Sequence, residues 1–166
     1  GSDLAINLAK SCEINNIPLV FFGLDEKSLN RLNKFAITVN NIQDNKFRLQ
    51  ISKNIASDFA AWGSEEFKKL AWIRYELCKA ILSSNKIPIY LDIDIVVKNN
   101  YEKNILKLFK KDKNLDGVFQ SDMYGGICSG FFALNKNSKN KILKIFSEEF
   151  LSSNNYQNFS QPADQG

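Results

Sequence analysis

At 166 residues, 44% hydrophobic and 24% charged, the chain has the length and composition of a single globular domain. These values exclude a disordered tail, a collagen-like fibre and a disulfide-stapled miniprotein, and no apolar run is long enough to span a bilayer as a helix. The net charge of +4 comes largely from scattered lysines, and the densest group (Lys107, Lys110, Lys111, Lys113) reads as a solvated helix end, which argues against nucleic acid as a partner.

Gly1-Ser2 reads as a tag scar with no signal-like segment behind it, leaving 3–166 as the domain. Leu4, Ala5, Leu8, Ala9 and Cys12 fall at helical spacing, with Ser2 or Asp3 available as a cap. Residues 17–24 (IPLVFFGL) predict a buried strand. Asp25 then opens a short helix with Leu29, Leu32 and Phe35 on one face, followed by a weak strand at 36–39. Residues 40–64 read as a long loop with some strand around 47–51. Ser64 and two glutamates predict the start of a helix over 64–83. A strand at 87–97, a helix at 101–109, strands at Gly117–Ser121 and Ile127–Leu134 and a helix at 138–151 follow, and the end is rich in Asn, Ser and Gln. Alternating helices and uninterrupted apolar strands predict an α/β fold with a mostly parallel sheet flanked by helices. The series is unusual in beginning with a helix where a βαβ unit would supply a strand.

Histidine is absent, which removes Ser-His-Asp and Cys-His catalysis and His-ligated metals together. The three cysteines, Cys12, Cys78 and Cys128, are far apart and include no CxxC pair. They lean towards a reducing, cytoplasmic compartment. The sequon Asn158-Phe159-Ser160 would matter only in a secretory lumen such as the Golgi.

The sharpest chemical feature is Asp92-Ile93-Asp94 inside an apolar run. On a strand Tyr90, Asp92 and Asp94 share one face, and Ile89, Leu91, Ile93 and Ile95 the other. Two neighbouring carboxylates in an apolar strand need a cation, because an unpaired ionised carboxylate away from water costs several kcal/mol, roughly. Oxygen ligands without histidine point to manganese or magnesium, which complete their shells with water and substrate phosphates. A bland alternative is that the aspartates cap the strand end. The preceding helix adds Arg74, which lies within the apolar stripe of Phe67, Leu70, Ala71, Leu77, Cys78, Ile81 and Leu82. It either snorkels to water or meets an anion, a diphosphate or one of the strand carboxylates. Trp72 lies off that stripe, and it and Trp62 are the aromatic residues outside core spacing.

Several segments in order (LVFFGLDEKSLNRL, AWIRYELCKAILSSNKIPIYLDIDIVV, DGVFQSD, ICSGFFALNKNS and the closing ADQ) resemble the nucleotide-diphospho-sugar transferase family, glycosyltransferases of the GT-A (Rossmann-like) fold. The resemblance implies metal-dependent transfer of a sugar from a nucleotide diphosphate, most often a uridine one, with retention of anomeric configuration. By that resemblance Asp94 binds the metal. Asp92 contacts the donor ribose or a metal-bound water, Arg74 a phosphate, and Asp25 lies near the base. Ser129 and Gly130 let the backbone approach the donor, and Asp164 and Gln165 lie beside the transferring sugar. The sequence departs from the family's pattern in having no strand before Asp3, in Ala163 where an aspartate is usual, and in ending one residue after Gln165. The expected domain is therefore an incomplete GT-A unit lacking the first strand and the C-terminal part, with an acceptor of unknown class and a homo-oligomer as one way to cover an exposed edge. Two rivals remain. One is a GT-A module that binds a nucleotide-sugar or a partner without turnover. The other is a haloacid-dehalogenase-type phosphatase, which also places paired aspartates on a strand but needs a later acidic pair that only Glu148-Glu149 could supply.

Overall fold

The computed structural model describes residues 2–23, 26–33, 39–41, 64–122 and 125–145. The N-terminal part contains α1 (Ser2–Ile14), β1 (Phe21–Gly23), α2 (Glu26–Asn33) and β2 (Val39–Asn41). The larger part contains α3 (Glu65–Ser83), β3 (Ile89–Leu91), α4 (Tyr101–Lys111), β4 (Gly117–Ser121), β5 (Ile127–Leu134), a 3-10 turn (Lys136–Ser138) and α5 (Lys139–Ile145). The chain does begin with a helix. The strand expected around 47–51 and the second half of the last helix lie outside the described residues. No helix among the described residues is long and apolar enough to cross a membrane.

Local chemistry explains the helix ends. Ser64 accepts the Phe67 backbone N–H at 3.1 Å and opens α3. Asn100 does the same for α4 from Lys103 N at 3.3 Å. Asn16 and Asn85 follow α1 and α3 with φ of 53° and 59°, the left-handed conformation asparagine tolerates beyond a helix C-terminus.

The α/β class stands, and among the described strands the directions are mixed where mostly parallel ones were expected. β1 and β2 pair in parallel, whereas β3, β5 and β4 form a three-stranded sheet in that order with both pairings antiparallel. The connectivity gives the reason. α4 carries the chain from β3 across to β4, so these two run in the same direction. β5 returns from β4 through the short connection 122–126, which imposes an antiparallel hairpin, and inserts between them. The long strand expected at 87–97 is also corrected: the ladder covers only Ile89–Leu91, and the chain then turns, with Ile95 N donating to Asp92 O at 3.2 Å.

Side-chain alternation along β3 and β5 sorts the core into layers. Tyr90, Phe132 and Leu134 face α3 and α5, packing on Tyr75, Cys78, Leu82 and Ile142. Ile89, Phe131 and Ala133 face α4 through Ile105 and Phe109. Phe132 lies at the centre, 0% exposed, with Tyr75, Tyr90 and Phe119 stacked around it at 5.2–5.7 Å. A fully buried side chain of this kind contributes about 1.5–3 kcal/mol.

A separate cluster of Ala5, Leu8, Cys12, Ile17, Phe21 and Leu32 takes in Leu91 and Val97, so α1 joins the two groups of strands. A polar clasp reinforces this contact. Buried Ser11 Oγ accepts Val97 N–H at 3.0 Å and donates to Leu8 O at 2.8 Å. Asn15 Nδ2 donates to Val97 O at 3.0 Å.

Candidate functional site

The site grows from an irregularity in β5. Its pairing with β4 jumps from Phe119↔Phe132 to Gln120↔Cys128, so Ser129, Gly130 and Phe131 have no β4 partner. Such a bulge re-aims the backbone, and here it offers these residues to β3: Leu91 pairs with Phe131, and Asp92 N donates to Gly130 O at 2.8 Å. The first aspartate of the pair is thus pinned by its own backbone at the last rung of the ladder.

Its carboxylate is held as closely. The Tyr90 hydroxyl donates to Asp92 Oδ1 at 2.6 Å, and Arg74 stands 3.9 Å from the same oxygen. Residue 130 packs against the same carboxylate: a Cβ there would lie 2.9 Å from Asp92 Oδ2, so any side chain would have to push that oxygen aside. Arg74 does not snorkel. Its Nε donates to Ala71 O at 3.0 Å, and a terminal nitrogen donates to both Ser129 O and Ser129 Oγ at 3.1 Å. The guanidinium also lies 5.1 Å over the Tyr90 ring, within cation–π range. Arg74 also faces Asp92, one of the two kinds of anion that the sequence reading offered it.

Burial pushes the Tyr90 phenol well above its usual range; the Arg74 charge opposes this, and Asp92 adds to it by charge and hydrogen bond. The hydroxyl therefore stays protonated at neutral pH, as a donor to Asp92 must. Burial pushes the Cys78 thiol up to about 12, against the pull of Arg74, so it is an inert core thiol.

Asp94 does not share a strand face with Asp92. It lies in the turn that follows β3 and is exposed, because alternation ends where the ladder ends. Arg74, Asp92, Ser129 and Gly130 thus lie together, with Asp94 two residues further along the loop. Tyr90 is the member the sequence reading did not assign, although its place two residues before Asp92 on one face was the available signal. Asp25, Asp164, Gln165 and Trp62 lie outside the described residues. Trp72 is partly buried against Tyr75, with ring centroids 4.9 Å apart.

The donor set bears on a metal. Asp94 presents an exposed carboxylate and Asp92 one whose first oxygen is already engaged. Among the described residues no group of three His, Cys, Asp or Glu side chains could hold an ion. One or two such carboxylates are what a hard divalent ion takes from a protein when water and ligand phosphates complete its shell.

Arg74 and Tyr90 also line a cleft of about 450 Å³ between residues 17–22 and 87–91. The family model for nucleotide-diphospho-sugar transferases matches residues 17–164. No curated protein and no solved structure matches the chain.

Proposed function

The chain belongs to the nucleotide-diphospho-sugar transferase family, and from that membership we propose that its site takes a uridine diphosphate sugar with manganese or magnesium and passes the sugar to an acceptor with retention of configuration. The match includes the DIDIVV segment and both following strands, which leaves the phosphatase reading without support. The observation that carries the proposal is the assembly of Arg74, Tyr90, Asp92, Ser129 and Gly130 at the carboxyl end of β3, where open α/β sheets bind ligands.

Each residue has work that follows from its chemistry. Asp94, exposed in the turn, is the carboxylate to meet the divalent ion. That ion, when bound, offsets negative charge on the leaving diphosphate as a Lewis acid. Asp92 Oδ2, opposite the side-chain-free Gly130, accepts from the donor's ribose or from water. Arg74 acts less as a phosphate ligand than as an organiser, holding the Ser129 carbonyl and facing Asp92. In the transfer the bond from the anomeric carbon to the diphosphate oxygen breaks, a bond to the acceptor oxygen forms on the same face, and the acceptor's proton leaves with the diphosphate. Asp25, Asp164 and Gln165 complete the proposal on the base and sugar sides.

Calorimetric titration with UDP, with and without manganese and beside GDP, tests it. We expect manganese-dependent binding selective for UDP, lost in Asp94→Ala while the circular dichroism spectrum is kept. Binding that ignores both manganese and Asp94→Ala would refute the metal assignment. Donor binding without hydrolysis or transfer would make the chain a binding module.

A further inference from the structure

The two ends of the three-stranded sheet differ in charge. β3 and β4 run one way and β5 the other, so the chain entering β3, the connection from α4 to β4 and the chain leaving β5 meet at the end opposite Asp92. Hydrogen bonds tie them together there. Leu134 N donates to Pro88 O at 3.1 Å, Asn135 N to Asp116 O at 2.7 Å and Asn135 Nδ2 to Leu115 O at 2.8 Å. Lys139 Nζ donates to Ser83 O at 3.0 Å, which brings in the end of α3. Segments 86–88, 110–117 and 135–141 together hold seven lysines and two aspartates, an excess of five positive charges where the whole chain has four. Asp92, Asp94 and Asp122 stand at the other end of the sheet, with the site.

Local structure accounts for part of this excess only. Lys110 and Lys111 lie in the last turn of α4, where the helix dipole favours cations. Lys136 and Lys139 instead begin the 3-10 turn and α5, the positive end of a helix, where the dipole opposes them. Lys141 pairs with Asp116. Lys86 and Lys113 are in connections, and both are exposed, as are Lys110, Lys111 and Lys136. Gathering like charges costs self-repulsion, which an anionic surface laid against this end would relieve.

The side chains indicate what kind of surface. Protein interfaces have an apolar centre and are depleted in lysine, whereas here Pro88, Leu134 and Ile142 are buried and the lysines lie outermost. Nucleic-acid sites add arginine forks or aromatic platforms, and the three segments carry neither residue type. Lysine point charges spread over several segments suit the headgroups of a bilayer, where each lysine near the surface adds roughly fivefold in affinity. We propose that this end of the sheet docks on an anionic lipid surface, with the Asp92 end turned towards water. This does not depend on the sugar-donor reading.

Co-sedimentation of the whole chain with phosphatidylcholine vesicles, with and without about one third phosphatidylserine, tests it. We expect binding at least about twentyfold tighter to the anionic vesicles, weakening as salt shortens the reach of the field from about 10 Å at 0.1 M to about 3 Å at 1 M. The triple variant Lys110→Gln, Lys111→Gln, Lys113→Gln should lose at least about tenfold, and Lys86→Gln with Lys136→Gln, on the other segments, about fivefold or more. Lys10→Gln, Lys98→Gln and Lys103→Gln, at exposed positions elsewhere, remove the same net charge as the first triple and should cost about twofold at most. Equal losses in the two triple variants would mean that net charge alone matters and would overturn the proposal. So would equal binding to both kinds of vesicle, or binding to neither. Tighter binding to a short DNA duplex through the same lysines would make the partner a nucleic acid and the lipid assignment wrong.

Discussion

Gly130→Ala tests whether the Asp92 carboxylate is truly fixed. The backbone at residue 130 is one that alanine can adopt, so the cost is purely a contact cost. The new methyl would stand 2.9 Å from Asp92 Oδ2, where ordinary contact begins at 3.4 Å, so the oxygen must retreat by about half an ångström. An unrestrained aspartate would simply rotate. Here rotation drags Oδ1 away from the Tyr90 hydroxyl, a 2.6 Å bond to a charged group of the class worth about 1.5–3 kcal/mol. Losing roughly half of that costs about 0.8–1.5 kcal/mol, offset by about 0.4–1 kcal/mol because alanine restricts the unfolded chain more than glycine. The net destabilisation is about 0.5 kcal/mol. In a Tyr90→Phe background that hydrogen bond is already gone, and Gly130→Ala should be neutral or slightly stabilising. Urea denaturation of the wild type, the two single variants and the double variant gives the coupling directly, expected at about 1 kcal/mol. If Gly130→Ala costs the same in both backgrounds, within about 0.3 kcal/mol, Tyr90 does not hold Asp92 and the account of the site fails.

Ser11→Ala removes the oxygen that accepts Val97 N–H and leaves a buried donor unpaired, for a loss of about 1–3 kcal/mol. In a domain of this size that lowers Tm by about 2–10 °C in a calorimetric scan, and a change under about 1 °C would show that the clasp carries no stability. Alkaline pH is the other lever. Burial raises the Cys78 thiol and the Tyr101 phenol to about 12 and Tyr90 higher still, above their ordinary values of 9.0 and 10.0. The fold favours their neutral forms, so this stabilisation is complete below pH 9.0 and is lost as pH rises towards 12. Tm should hold steady up to about pH 8.5 and then fall, with a shallower fall in Cys78→Ala; a Tm flat to about pH 11 would contradict the burial argument.

Features set by neighbours in sequence were legible. Ser64 caps α3 because capping needs only the N–H three residues on, and Ala71, Cys78 and Leu82 of the predicted α3 stripe are buried, although Ile73 and Tyr75, outside that stripe, are buried as well. The common face of Tyr90 and Asp92 was legible for the same reason. Asp94 was misplaced because Asp92 to Val97 carries no glycine or proline to mark a turn, while the strand's true end depends on where bulged β5 stops offering partners. The direction of β5 is likewise a property of its hairpin connection and not of its apolar run. Arg74 stood out as an anomaly on a core-facing stripe, yet the groups it reaches, Ser129 and Asp92, are ones that only tertiary structure brings near.

The ties that build the site have a kinetic meaning. Arg74 reaches Ser129 across 55 positions of sequence, and the clasp on Val97 joins it to Asn15 and Ser11 across 82 and 86. Closing loops of that length costs entropy before any contact rewards it. Local helices such as α3 and α4 can form early, but the arrangement of Asp92 with Arg74 and Ser129 is completed only when distant parts of the chain have already met. A group assembled after the folding barrier contributes to the unfolding rate and hardly to the folding rate. Any ligand that occupies this site would therefore prolong the life of the native state without speeding its formation.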